Sequence, residues 1–189
     1  MSGSNRAGTL WQVLTHLKLE AGEDAEPTKP CVFISYQHED ELESEKIADY
    51  LLGAEADVYF DKYDKGLSEL VKEGDPDKVT ERLRAGISNS THMICVVSPR
   101  TVKSFWVPFE VGYGYDDLKL VILTLKGVSD SQLPDYMRTT KVIVRGVLSL
   151  NRFIADLLGR EVSRLEEEGN IKAHIDYGHP LREILDYYK

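Results

Sequence analysis

Apolar positions fall into five short, dense runs separated by stretches of helical periodicity. Val32-Phe-Ile-Ser-Tyr36, preceded by Cys31, is β-branched and aromatic, and predicts a buried strand. Ala56-Asp-Val-Tyr-Phe60, His92-Met-Ile-Cys-Val-Val97 and Leu118-Lys-Leu-Val-Ile-Leu-Thr-Leu125 predict three more. Lys141-Val-Ile-Val-Arg145 predicts a fifth, placed at a sheet edge because two basic residues bracket it. Between the runs, Glu39-Asp-Glu41 opens a helix that continues through Ile47, Tyr50, Leu51 and Leu52. Carboxylates in a first turn suit the helix dipole, so this acidic cluster reads as a solvated helix start. Val79 to Ile87 is amphipathic, Leu133 to Arg138 is a short helix or turn, and Leu148 to Leu165 forms a long helix. Five strands alternating with helices predict a doubly wound α/β fold, a flavodoxin-like five-stranded parallel sheet covered on both faces.

The flanks read differently. Leu10, Val13, Leu14 and Leu17 have helical spacing, and the acidic, Pro-containing stretch from Glu20 to Pro30 reads as a linker. Pro180 to Tyr188 carries a final helical pattern. The expected division is therefore an N-terminal helix and linker over 1–29, the α/β domain over 30–165, and a C-terminal helical tail over 166–189. Inside the domain, Lys62 to Asp77 is charged and contains Gly66, Gly74 and Pro76. It is expected to be a long functional loop.

Composition narrows the function classes. Apolar residues make up 42% of the chain and charged residues 29%, ordinary values for a soluble globular protein. A net charge of −9 disfavours a nucleic-acid backbone or an anionic membrane as the main partner. With no membrane-length apolar run and no secretory leader pattern, a cytoplasmic protein is expected. Cys31 and Cys95 sit inside apolar runs and are expected to be small buried hydrophobes. His16, His38, His92, His174 and His179 form no metal motif, so no metal and no bound cofactor are expected. Gly112 and Gly114 form a weak GxG, better suited to close helix packing than to a phosphate.

Candidate chemistry gathers just after the third strand. Trp106 and Glu110 lie four apart in an aromatic neighbourhood, on one face if a helix runs through them. The ligand crevice of an open α/β sheet lies beyond the carboxyl ends of its strands, and this stretch follows one.

Three stretches together resemble the Toll/interleukin-1 receptor (TIR) domain family over roughly residues 30–160. The first is Val32-Phe-Ile-Ser-Tyr36. The second is Ala85-Gly-Ile-Ser-Asn-Ser90 running into Met93-Ile-Cys-Val-Val-Ser98. The third is Ser98 followed by Ser104, Trp106 and Glu110. The resemblance departs at Val107, where the family often has cysteine, and in the connector, which lacks an Arg-Asp-x-x-Pro-Gly box.

Enzymatic members of the family, including stand-alone bacterial enzymes of antiphage defence, cleave NAD+ between nicotinamide and ribose. The resemblance implies that Glu110 is the catalytic residue here and that NAD+ is substrate, not cofactor. It implies a product of ADP-ribose or a cyclised nucleotide signal, self-association through the domain, and an effector protein that answers the product. For the substrate it brings forward Phe33, Ser35, Tyr36, Asp61, Lys65 and Trp106: Trp106 as a stacking face, Asp61 for a ribose hydroxyl, Lys65 or Lys62 for the diphosphate. Strand alternation sends Phe33 and Ser35 to one face of the sheet and Tyr36 to the other. Two other classes stay open, a non-catalytic TIR interaction module and a nucleoside deoxyribosyltransferase-like enzyme.

Overall fold

The computed structural model describes residues 2–7, 29–100 and 119–187. Five strands, β1 (Cys31–Ser35), β2 (Asp57–Tyr59), β3 (His92–Val97), β4 (Lys119–Thr124) and β5 (Val142–Val144), form one parallel sheet. Their spatial order is β2-β1-β3-β4-β5. The chain steps outward from β1 to β2, then crosses back over β1 to β3, so the winding reverses between β1 and β3. β5 is an edge strand, as its bracketing basic residues predict.

Both faces of the sheet are covered, which is why the strand runs are apolar throughout instead of alternating. On one face Val32, Ile34, Ile94, Val96, Val121 and Leu123 pack with Ile47 and Leu51 of α1 (Glu41–Gly53) and with Leu150 and Ile154. The opposite face splits into two smaller clusters. Cys31, Phe33 and Met93 pack with Tyr59 and Ile87, while Cys95, Val97 and Ile122 pack with Leu133 and Met137. Both cysteines are fully buried, and burial pushes the Cys31 thiol up to about 11, away from reactivity.

The connector expected to be a long loop is mostly helical. It forms α2 (Lys65–Glu73) and α3 (Pro76–Ser88). Asp64 caps α2 by accepting from the Leu67 N–H, Gly74 ends it at φ 72°, and Asp75 caps α3 beside Pro76 in its first turn. Asp64 does more than cap. It is sealed from solvent, accepts from the Tyr59 hydroxyl at 2.8 Å, and pairs with Arg82 of α3 at 2.7 Å. Burial alone would raise its carboxyl; Arg82, Tyr59 and the Leu67 N–H outweigh that and hold it below the usual carboxylate range. Gly86 completes the fit, since a Cβ there would stand 2.5 Å from the Tyr59 ring.

Of the later elements, one meets expectation and two depart from it. α4 (Asp135–Arg138) is the short helix predicted there. The long helix divides into α5 (Val147–Leu158) and α6 (Val162–Glu167), because Gly159 takes a left-handed conformation at φ 62° and stops the first. No helix forms over the predicted 180–188 pattern among the described residues. Instead the tail runs in turns, and Ile171, Leu181 and Leu185 enter the main core. Its polar backbone is met by a buried network. The Leu181 N–H donates to His179 Nδ1 at 3.1 Å, which leaves Nε2 to donate to the Tyr50 hydroxyl, also at 3.1 Å. Tyr50 in turn donates to Asn151 Oδ1 at 2.9 Å.

Residues 2–7 lie along the outer edge of β2, where the Arg6 N–H donates to the Val58 carbonyl at 2.7 Å and the Val58 N–H to that of Ser4 at 3.1 Å. Arg6 is 5% exposed and grips Asp57 through Nε and Nη2 at 3.0 and 2.9 Å. An edge strand covered in this way offers no free ladder to another chain. The helix predicted over 9–19 lies outside the described residues. No helix among the described residues is long and apolar enough to cross a membrane.

Two predictions follow from these contacts. Asp64→Ala removes a cap and leaves Arg82 half-buried without its carboxylate, a loss of about 3 kcal/mol in denaturant unfolding. Burial, helped by Lys172 and His174 and opposed by Asp176, holds His179 below its ordinary value. The unfolded chain therefore takes up a proton near pH ~6.5 that the fold resists, and stability falls as pH drops through that value. Thermal midpoints measured from about pH 8 to about pH 5.5 are expected to fall, and to fall less in His179→Gln. An equal fall in the variant contradicts this.

Candidate functional site

The winding reversal brings together the two loops that leave the carboxyl ends of β1 and β3. Tyr36 continues β1 on the α1 face, where alternation puts it, and its ring meets that of Phe60 with centroids 5.0 Å apart. Its hydroxyl donates to Asp61 Oδ1 at 2.8 Å, so Tyr36 and Asp61 tie the ends of β1 and β2 together. Loss of hydration raises the Asp61 carboxyl above its ordinary range, with the Tyr36 hydroxyl pulling it back.

Other predicted contacts are placed elsewhere. Phe33 is 2% exposed and stacked on Tyr59 with centroids 5.4 Å apart. It is a core residue and does not line the crevice, because it sits within the strand and not at its end. Ser35 ends β1 but is 1% exposed, so its side chain is turned into the structure. Lys62 is held by Glu41 at 3.1 Å and Glu45 at 2.8 Å, and Glu45 above all raises its pKa. Its charge is thereby taken up by two carboxylates of α1. Lys65 is the first residue of α2, and its side chain lies outside the described residues. Trp106 and Glu110 also lie outside them, on the 101–118 segment that follows β3 and Arg100.

Sequence reasoning missed a cluster at this same edge. Asp40, read as part of a solvated helix start, is 1% exposed. It occupies the N-cap of α1 yet makes no side-chain cap bond. Its carboxylate instead reaches across to the β3 loop, where the Ser98 hydroxyl donates to it at 2.5 Å and Arg100 Nη1 at 3.2 Å. Arg100 also donates through Nη1 to the Glu39 carbonyl at 2.6 Å, and its N–H donates to Ser98 Oγ at 3.1 Å. A cleft of about 280 Å³ opens beside this cluster, with Ser98, Arg100, Lys126 and Ile184 among its walls. The available signal was positional: Asp40 and Ser98 each follow closely on the end of a buried strand. Among the described residues no group of three or more His, Cys, Asp or Glu side chains is placed to hold a metal ion.

A parallel sheet of this order, with polar chemistry collected where its winding reverses, defines a flavodoxin-like α/β domain. The family model for the TIR domain matches residues 32–148, and the chain belongs to that family. Among solved structures it is similar to a metazoan TIR-STING receptor from C. gigas, solved in complex with 2',3'-cGAMP. The two are 26% identical with a TM-score of 0.52, over 72% of this chain. This chain spans 40% of the length of that one. No curated protein sequence matches it.

The Tyr36–Asp61 bond has a direct readout. In Tyr36→Phe the Asp61 carboxyl loses the group that lowers its pKa, so its titration midpoint moves upward in carbon-13 NMR of labelled aspartate. An unchanged midpoint means that the hydrogen bond is absent in solution.

Proposed function

We propose that this TIR domain is an NAD+ glycohydrolase or cyclase. It cleaves the nicotinamide–ribose bond and yields ADP-ribose or a cyclic ADP-ribose-type signal. The observation that carries the reading is family membership joined to one pair of residues. A TIR domain whose third strand is followed by Trp106 and, four residues later, Glu110 has the residues that the NAD+-cleaving branch uses.

The chemistry suits a single acid. In NAD+ the nicotinamide ring is a pyridinium, and breaking its bond to ribose C1′ neutralises it, so the leaving group needs no proton. Positive charge develops on the ribose as oxocarbenium character. Glu110, ionised, stabilises that charge and holds the ribose hydroxyls, the electrostatic logic of glycoside cleavage. Trp106 offers its face to the pyridinium while the ring is charged. Asp61 is a further ribose contact, and Lys65 a contact for the diphosphate. Water or the adenine ring then takes C1′, giving the linear or the cyclised product.

Family resemblance supports the wider setting: self-association of the domain, an effector that reads the product, and a role in bacterial antiphage defence. The C. gigas receptor and its 2',3'-cGAMP support a setting of nucleotide signalling.

Concentrated protein incubated with NAD+ is expected to release nicotinamide, followed by chromatography. Glu110→Ala is expected to reduce that release by about a hundredfold or more. No release from concentrated wild-type protein overturns the enzymatic reading in favour of a non-catalytic interaction module. Base exchange on deoxynucleosides without attack on NAD+ favours a deoxyribosyltransferase.

A further inference from the structure

Another cavity, of about 390 Å³, lies between α5 and the strands β4 and β5. It reaches the amino ends of β3 and β4, where His92 and Lys119 are neighbours in register. Pockets that hold small molecules commonly measure about 300–1,000 Å³. Its floor is apolar. Val142 and Val144 are two residues apart on β5 and share a face of the sheet. Val144 and Phe153 are buried, whereas Val142 is 40% exposed, an apolar surface that α5 leaves uncovered.

The walls carry charge that the protein does not use. Lys119, Arg152 and Asp156 all line the cavity, and among the described residues none of the three has an ion pair. Two cations without a counter-charge, in a chain of net charge −9, make a local positive rim that attracts an anion. His92 adds an acceptor. The Thr91 hydroxyl gives its one proton to the Cys31 carbonyl at 3.0 Å, so its 2.9 Å contact with His92 Nδ1 must be donated by the ring. Burial, with Lys119 adding to it, holds the imidazole below its ordinary pKa and so neutral. That tautomer leaves Nε2 as a bare acceptor, and no described residue donates to it.

A ligand that satisfies these groups together needs an anion for Lys119 and Arg152 and a flat body for the valine floor. It also needs N–H or O–H donors for His92 Nε2 and the Asp156 carboxylate. We propose that this cavity binds a nucleoside monophosphate, with the phosphate at Lys119 and Arg152 and the base on Val142 and Val144. The base amine and the ribose hydroxyls supply the donors. The dianion of a phosphate monoester matches two cations, whereas the bridged phosphates of NAD+ carry one charge each. The proposal stands apart from the NAD+ reading and does not rest on it.

Titration calorimetry with AMP, adenosine and inorganic phosphate separates the parts. AMP is expected to bind at least about tenfold tighter than either part, because each part reaches only some of the groups. Arg152→Ala is expected to weaken AMP about tenfold or more, with adenosine within about twofold. His92→Phe keeps the ring beside Phe153 and is expected to weaken AMP about three- to tenfold without changing phosphate. Val142→Glu sets a carboxylate on the floor at an exposed position, so the variant folds, and it is expected to abolish AMP binding. In amide NMR of labelled protein, AMP is expected to shift the signals of Val142–Val144 and of α5 from Ser149 to Leu157. No AMP binding at about millimolar concentration overturns the proposal. So does equal affinity for AMP and bare phosphate, full binding in Val142→Glu, or shifts confined to the carboxyl ends of β1 and β3.

Discussion

A carboxylate buried away from water must find a cation, and this constraint organises half of the sheet. Asp40, Asp57 and Asp64 are 1%, 6% and 0% exposed. Each is paired with an arginine from another part of the chain: Arg100, Arg6 and Arg82. The pairs fasten the β3 exit to the start of α1, the N-terminal strap to β2, and α3 to the cap of α2. Each joins pieces that apolar packing alone would leave free to slide, and each is costly to break because one charge is left buried. The other half of the sheet, β4 and β5, is held mainly by apolar contact and by the C-terminal tail.

The same constraint bears on function. The ligand crevice of a doubly wound sheet lies at the reversal of winding, and here the reversal falls between β1 and β3. Asp40 bridges the two loops that leave these strands. The Tyr36–Asp61 bond does the corresponding work between β1 and β2. The rim is thus built from charge-assisted hydrogen bonds whose geometry is narrower than that of apolar packing.

The sheet was legible because strands buried on both faces are unbroken apolar runs, and Val32–Tyr36 and His92–Val97 leave little choice. The TIR family was legible from those same runs together with Trp106 and Glu110. Helices with few buried residues were harder. On α2, among the described side chains, Leu67 alone is buried, so the segment carries few apolar residues and its glycine and charges read as loop. Its real markers were chemical: Asp64 before it, then Gly74-Asp75-Pro76 as a stop followed by a new start. The long helix hid a break at Gly159, and the pattern over 180–188 came from residues that enter the core in turns. Asp40 and Phe33 show the limit at the site. Composition cannot say which acid in a run of three is buried, nor which aromatic of a strand reaches its end. Both depend on contacts with residues about sixty positions away or on the far side of the sheet.

The most direct measurement is a structure of the protein with a non-hydrolysable NAD+ analogue. The nicotinamide-side ribose is expected at the carboxyl ends of β1 and β3, with its anomeric carbon against the Glu110 carboxylate and the nicotinamide ring on Trp106. An analogue bound away from Glu110, or seated against the opposite end of the sheet, contradicts the assignment.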